Sequence, residues 1–324
     1  MTATTTARAF LGLSHTPLLG LASLASDIEQ PLRTAIASMT SQVRAWAPDR
    51  VVLIGPDHYN GFFNELMPSF CIGSAATSVG DYLMPSGPMN VDENVALTLA
   101  AHMMDEGFDI AMSRRMRVDH GIVQPLDLIW GGLASPPLIP VFLNAVAPPT
   151  VPRIARCLAF GHAMGRYLDT LPGRTLVIGS GGLSHEPPMP GMDHPNAEVR
   201  ERVIARFEAT PAERQARTSR AIAAGAALAS GESDMKPLNP EWDKRWMDAV
   251  ATADTGFFSR LTEASISSDA GLSAHESKTW LMGRTSLPAD AAHTAFRYYQ
   301  AIPELIAGFG VLFMHADAAG NPTP

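Results

Sequence analysis

Four histidines are set apart by where they fall in the chain. His15, His58, His120 and His185 each follow an apolar run and stand near Gly, Pro or Asp at the start of a loop. Neutral imidazole is a ligand for zinc, copper and iron, and two imidazoles with one carboxylate leave open positions, the facial arrangement of non-haem Fe(II) oxygenases. Residue type and spacing leave open which of the four would bind a metal. The carboxylate has four candidates: Asp57, Asp119, Glu186 and Glu276. Asp57 and Asp119 each precede a histidine, and adjacent side chains of an extended segment point opposite ways. Both are therefore expected behind the imidazoles, orienting them. Glu276 opens a helix in Ser273-Ala274-His275-Glu276-Ser277-Lys278-Thr279-Trp280, where the helix dipole alone also favours an acid. His102, His162, His194, His293 and His315 read as surface or hydrogen-bonded groups without a shared task.

Three of the four histidines are delivered by strands. Phe10-Leu11-Gly12-Leu13 precedes His15, Val51-Val52-Leu53-Ile54 precedes His58, and Thr175-Leu176-Val177-Ile178 leads through Gly179-Ser180-Gly181-Gly182 to His185. Such ends are where open α/β sheets bind ligands. The spacing predicts strands over 8–14, 50–56, 112–118, 138–144 and 174–179. Ile28, Leu32, Ile36, Met39, Val43 and Trp46 recur on one helical face, with Ser26-Asp27-Ile28-Glu29 as a possible capping box. Further helices are expected over 91–107, 154–171 and 242–261, with two exposed ones in 196–231. Residues 59–90, rich in Gly, Pro and Met, should border a pocket. Alternating strands and helices predict one α/β domain over 1–324, a mostly parallel central sheet with helices on both faces. Residues 1–7 and 315–324 are expected as loose tails.

Composition narrows the function. The 324 residues carry a net charge of −8 with no basic run, which argues against a nucleic-acid partner. An apolar fraction of 46% and a charged fraction of 17% fit a packed core. No stretch approaches the ~18 apolar residues of a membrane span, and His15 and Pro17 break the only run that imitates a signal peptide. Cys71 and Cys157 lack metal-ligand spacing and read as small buried hydrophobes in a reducing cytoplasm.

Five ordered motifs carry a resemblance: Leu13-Ser14-His15-Thr16-Pro17, Pro56-Asp57-His58-Tyr59-Asn60-Gly61-Phe62-Phe63, Val118-Asp119-His120-Gly121, the stretch from Gly179 to Pro188, and His275-Glu276-Ser277-Lys278-Thr279-Trp280. Together with Ile302-Pro303-Glu304-Leu305-Ile306-Ala307-Gly308-Phe309-Gly310, the sequence resembles the class III extradiol ring-cleavage dioxygenases, the protocatechuate 4,5-dioxygenase superfamily. The resemblance implies Fe(II) held by His15, His58 and Glu276, with His185 as base and His120, oriented by Asp119, as proton donor. It implies O₂-dependent opening of a 3-substituted catechol, 2,3-dihydroxyphenylpropionate or 2,3-dihydroxycinnamate, in a cytoplasmic homo-oligomer. Gln300 and Leu305 depart from the family pattern and bear on side-chain specificity. The cation for the substrate tail is sought among Arg297, Lys278 and Arg115, with Tyr298, Tyr299 and Pro187 as further contacts. A zinc-dependent hydrolase and a non-enzymatic binding protein on the same fold are the competing readings.

Overall fold

The computed structural model describes residues 6–288 and 292–316. Its first half runs β1 (Ala7–Leu13), α1 (Ser26–Trp46), β2 (Arg50–Gly55), β3 (Phe70–Gly73), β4 (Ala76–Val79), β5 (Ser86–Pro88), α2 (Glu93–Asp105), β6 (Ala111–Ser113), β7 (Met116–Val118), α3 (His120–Trp130) and β8 (Leu138–Leu143). The second half runs α4 (Ile154–Leu168), β9 (Arg174–Ser180), α5 (Ala197–Ile204), α6 (Pro211–Ser230), α7 (Pro240–Thr252), α8 (Thr255–Ser259), α9 (Glu263–Ala270), α10 (Lys278–Thr285), β10 (Ala292–Ile302) and β11 (Ala307–Ala316).

Eight strands form the main sheet in the order β10-β11-β1-β9-β2-β8-β3-β6. Its centre, β1-β9-β2-β8, is parallel throughout, while β11 pairs antiparallel with β1 and β3 antiparallel with β8. The central strands are apolar without alternation because both faces are covered. Phe10, Val52, Ile54 and Val177 face one core, packed by Phe160 of α4, Trp246 of α7 and Trp280 of α10. Leu11, Leu53 and Ile178 face the other, packed by Met39 of α1 and Ile129 of α3. The expected α/β architecture with helices on both faces is what the chain adopts. Among the described residues no helix is long and apolar enough to cross a membrane.

Several expectations change. Ala7 already pairs with Arg174 in β1, and His315 lies in β11, so the tails expected over 1–7 and 315–324 are shorter; residues 1–5 and 317–324 lie outside the described ones. The capping box at Ser26 does not form, since Ala25 is the N-cap and has no side-chain bond to give. The strand expected over 112–118 is broken at Arg114 and Arg115 into β6 and β7, which join different sheets. The helix expected over 242–261 breaks at Ala253, which takes a left-handed conformation between α7 and α8. Helix α3 was not expected. Its Ile122 and Val123 are β-branched and its Pro125 is interior, which are poor local helix signals.

Candidate active site and metal centre

The order β1-β9-β2 puts three loop starts side by side at the C-terminal edge of the sheet. His15 leaves β1, His185 leaves the glycine turn after β9, and His58 leaves β2 by way of Pro56 and Asp57. His120 arrives separately, as the first residue of α3. Glu276 rises from below, on a 3-10 turn over Leu272–Ser277. That turn packs against the glycines: a β-carbon on Gly181 would lie 2.3 Å from the Glu276 carbonyl oxygen and 2.9 Å from its Cβ. Glycine is required here by close approach.

The five side chains meet. His15 Nε2 is 3.3 Å from Glu276 Oε2, while His58 Nε2 and His185 Nε2 are 3.2 and 3.3 Å from Glu276 Oε1. His15, His58 and His120 each offer a nitrogen within 4.8 Å of the others. The His58 and His120 rings are stacked with centres 4.4 Å apart.

Each imidazole is held by its other nitrogen, and the hydrogen bonds assign the protons. His185 Nδ1–H donates to the Leu183 carbonyl (2.9 Å). His58 Nδ1–H donates to Asp119 Oδ2 (3.0 Å), and His120 Nδ1–H to Asp81 Oδ2 (2.5 Å). For His15 the partner is Ser180 Oγ at 3.0 Å, and the Ser180 hydroxyl donates its only proton to the Gly121 carbonyl at 2.6 Å. Ser180 must therefore accept from His15 Nδ1–H. The Gly121 carbonyl is available because the residue four positions on is Pro125, which has no N–H to close the helical bond. In the neutral imidazoles all four Nε2 atoms thus present lone pairs. Gln124 clamps the His15 loop further, accepting from Thr16 N–H and donating to Thr16 C=O, both at 2.8 Å.

This donor set fits a metal dication. Glu276, Asp119 and Asp81 are buried, and among the described residues they pair only with histidines, never with Lys or Arg. Buried carboxylates facing imidazole lone pairs require a cation or protons to balance them. Burial pushes the His15 imidazole down to about 3, with Glu276 opposing. Burial also pushes His58 and His185 down, but Asp119 for His58 and Glu276 for His185 outweigh it and hold both above the ordinary histidine value. Glu276 is raised by burial and brought well below the carboxylate range by His185 and then His15.

The carboxylates expected to orient imidazoles are redistributed. Asp119 serves His58 rather than its neighbour His120: Oδ2 accepts from the His58 N–H, its Nδ1–H and Asn60 Nδ2. His120 is held instead by Asp81, in a loop where a single acid gave no sequence signal. Asp57 touches no imidazole; it accepts from the N–H groups of Asn60, Gly61 and Phe62 and shapes the turn behind His58. Glu186 caps the Leu272 N–H, away from the imidazoles.

The imidazoles open into a cavity of about 580 Å³, within the range of small-molecule sites. Pro187 and Leu305 line it, as does His194, whose Nδ1 also accepts from Asn196 N–H. The other expected tail contacts lie outside. Exposed Arg297 pairs with Asp248 at 2.6 Å, Tyr298 bonds Gln300, and Tyr299 donates to Asp243 at 2.7 Å. Buried Lys278 donates to Pro152 C=O at 2.8 Å, and Arg115 sits exposed in the β6–β7 turn. β10 is an edge strand with β11 between it and β1, and the N-terminus of α10 is buried, so these side chains lie away from the rim. The far wall comes from 196–231: α5 and α6 are charge-laced outside, but Val203, Ala216, Arg217, Arg220 and Ala221 line the cavity. Cys71 and Cys157 are free, buried and pushed up to about 12 by burial. His102 donates from Nε2–H to the Ala163 carbonyl, His162 is exposed, and His293 packs on His315.

Residues 9–310 match the family model described as the catalytic LigB subunit of aromatic ring-opening dioxygenase. A Comamonas testosteroni protein named 2,3-dihydroxyphenylpropionate/2,3-dihydroxicinnamic acid 1,2-dioxygenase is 57% identical over 96% of this chain and 98% of its own. A Mycolicibacterium paratuberculosis protein of the same name is 43% identical over 92% and 96%. The crystal structure of an uncharacterized Escherichia coli K12 protein is similar with a TM-score of 0.51 at 11% identity, over 95% of this chain and 99% of that one; it speaks to the fold alone. With four imidazoles and a buried carboxylate converging on one rim, and with a match spanning nearly the whole chain, the protein belongs to the LigB family of class III extradiol, aromatic ring-opening dioxygenases, whose chemistry implies a metal cofactor.

Proposed function

We propose that the protein is an Fe(II)-dependent dioxygenase that opens 2,3-dihydroxyphenylpropionate or 2,3-dihydroxycinnamate beside its two hydroxyls, giving a 2-hydroxy-6-oxo-dienoate. The observation that carries this reading is the convergence of the His15, His58 and His185 Nε2 atoms on the two oxygens of Glu276. Two imidazoles and a carboxylate are the donor set of non-haem Fe(II) oxygenases, and His15, His58 and Glu276 would hold the metal. Bound there, Fe(II) supplies open positions for a catechol and O₂ and lets electron density pass from the ring to oxygen. The names of the relatives support the substrate. Family membership speaks against the hydrolase and non-enzymatic readings.

The protein's own groups then divide the proton transfers. His185, its Nδ1–H fixed on the Leu183 carbonyl, keeps Nε2 free to take a catechol hydroxyl proton. His120, its Nδ1–H fixed on Asp81, accepts a proton at Nε2 and passes it to oxygen as the ring opens. Asp119 and Ser180 keep His58 and His15 in the tautomer that ligates. Homo-oligomeric assembly and a cytoplasmic location belong to the same reading; the unpaired Cys71 and Cys157 support a reducing compartment.

The test is anaerobic loading with Fe(II), then addition of O₂ and 2,3-dihydroxyphenylpropionate. Stoichiometric oxygen uptake and a yellow ring-opened product are expected, with loss of activity on oxidation and recovery with ascorbate and Fe(II). Equal turnover with zinc, or none with any catechol, would overturn the reading.

A further inference from the structure

We propose that Arg217 of α6, seconded by Arg220, selects substrates by binding the carboxylate of the catechol side chain; this rests on the reading of the site given above. The cavity lining mixes apolar residues, Pro187, Val203, Phe207 and Leu305, with cations on the 196–231 wall. Glu213, Arg217 and Ala221 stand four residues apart, with Ala216 and Arg220 three residues on from Glu213 and Arg217, so one face of α6 looks into it. Of the cations on this wall, Arg202 is exposed and already lies 4.0 Å from Glu213. Arg217 is half-buried; Glu213, one turn earlier, feels its charge, but among the described residues no carboxylate lies at ion-pair distance from it, and its one hydrogen bond, to Asn60 Oδ1, is 3.4 Å long. Arg220 is exposed and makes no hydrogen bond or ion pair among the described residues, so it can only second Arg217. A partly desolvated guanidinium whose fork faces an open cavity is matched by a planar carboxylate.

Its position suits a short tail. Asn60, beneath Arg217, donates to the Asp119 carboxylate that holds His58. Tyr82, close enough to Arg217 and Arg220 to feel their charge, stands edge-on to His120 with ring centres 5.2 Å apart. The guanidinium therefore stands near His120 and the acid behind His58, within reach of a side chain on the carbon next to the hydroxyls of a ring bound at the imidazoles. The occupant this wall fits is a catechol with an anionic tail on that carbon; an uncharged tail of the same length would meet the apolar residues and leave Arg217 without a partner.

The experiment compares 2,3-dihydroxyphenylpropionate with 3-propylcatechol in iron-loaded wild type, Arg217→Gln and Arg217→Lys, with iron content measured for each. The wild type is expected to favour the propionate in kcat/KM. Arg217→Gln should lose on the order of 10–100-fold on the propionate, mostly in KM, stay within about 2-fold on 3-propylcatechol, and keep its iron. Arg217→Lys, which retains a point charge, should fall between. Equal losses on both substrates, or loss of iron, would make Arg217 a positioning residue for Asn60, Asp119 and His58 and overturn the proposal. So would no loss on either. A wild type that opens neither catechol would overturn the underlying reading and this proposal with it.

Discussion

The Asp119 carboxylate lies 3.0 Å from Nδ1 of His58, a residue 61 positions earlier in the chain, and leaves its immediate neighbour His120 to Asp81. One acid therefore stands behind an imidazole expected to ligate and another behind an imidazole expected to move protons. The two can be separated experimentally.

Asp119→Asn removes the anion that fixes the His58 tautomer. Metal affinity is expected to fall about 10–100-fold, as for other partners of ligating histidines. Asp81→Asn should leave metal content near wild type and lower kcat instead. Metal analysis beside single-turnover rates reads both; the reverse pattern would exchange the roles of His58 and His120.

Glu276→Gln keeps the shape of the side chain and removes its charge. Because Glu276 is the carboxylate shared by three imidazoles, iron occupancy is expected to collapse with the fold retained in circular dichroism. Gly181→Ala should reach the same end by pushing the Glu276 turn away from the glycines. Full occupancy in Glu276→Gln would remove Glu276 from the ligand set.

Metal loading should compete with protons. In the metal-free protein His58 and His185 titrate above the ordinary histidine value despite burial, through Asp119 and Glu276 respectively. Below those values a metal must displace a proton from His58, the ligand of the two; above them it need not. Affinity measured against a chelator should therefore go on rising as pH climbs past the ordinary histidine value, and level off only once His58 is neutral. His15, depressed to about 3, contributes no slope there. A flat profile would contradict the protonated state of the empty centre.

Pro125→Ala returns an N–H to α3 that competes with Ser180 for the Gly121 carbonyl. Melting temperature should rise, since an interior proline costs up to ~3 kcal/mol in a helix, while metal affinity drops by several-fold because His15 loses its fixed tautomer. Affinity unchanged at a higher melting temperature would mean the carbonyl serves both donors at once.

What could be read in advance follows from locality. Strand, small residue and histidine are adjacent in sequence, so the delivery of His15, His58 and His185 to one edge was visible in the chain. Helix α3 was hidden because its helical state comes from packing Ile122, Leu126 and Ile129 into the core rather than from local propensity. Asp81 was hidden because its partner is 39 residues away. The strand alternation that suggested Asp57 and Asp119 as supports was sound on direction and silent on destination. Arg297 and Lys278 were cations in motif-bearing segments, but a side chain's address depends on which face of its element meets the sheet, and theirs face Asp248 and Glu263. The polar character of 196–231 described its outer face and concealed the inner one.

The rim and the α5–α6 wall are separate pieces of chain. The imidazoles hang from core strands and α3, held by glycines and buried hydrogen bonds that tolerate almost no change, whereas α6 leans on the segment after β10 chiefly where Gly225 meets the Glu304 carbonyl. Reactivity and taste are thus written on different parts of the same protein. Exchanging residues 196–231 between relatives should transplant substrate range while leaving the oxygen chemistry in place, and divergence of new ring-opening enzymes from this scaffold has a short stretch of helix in which to work.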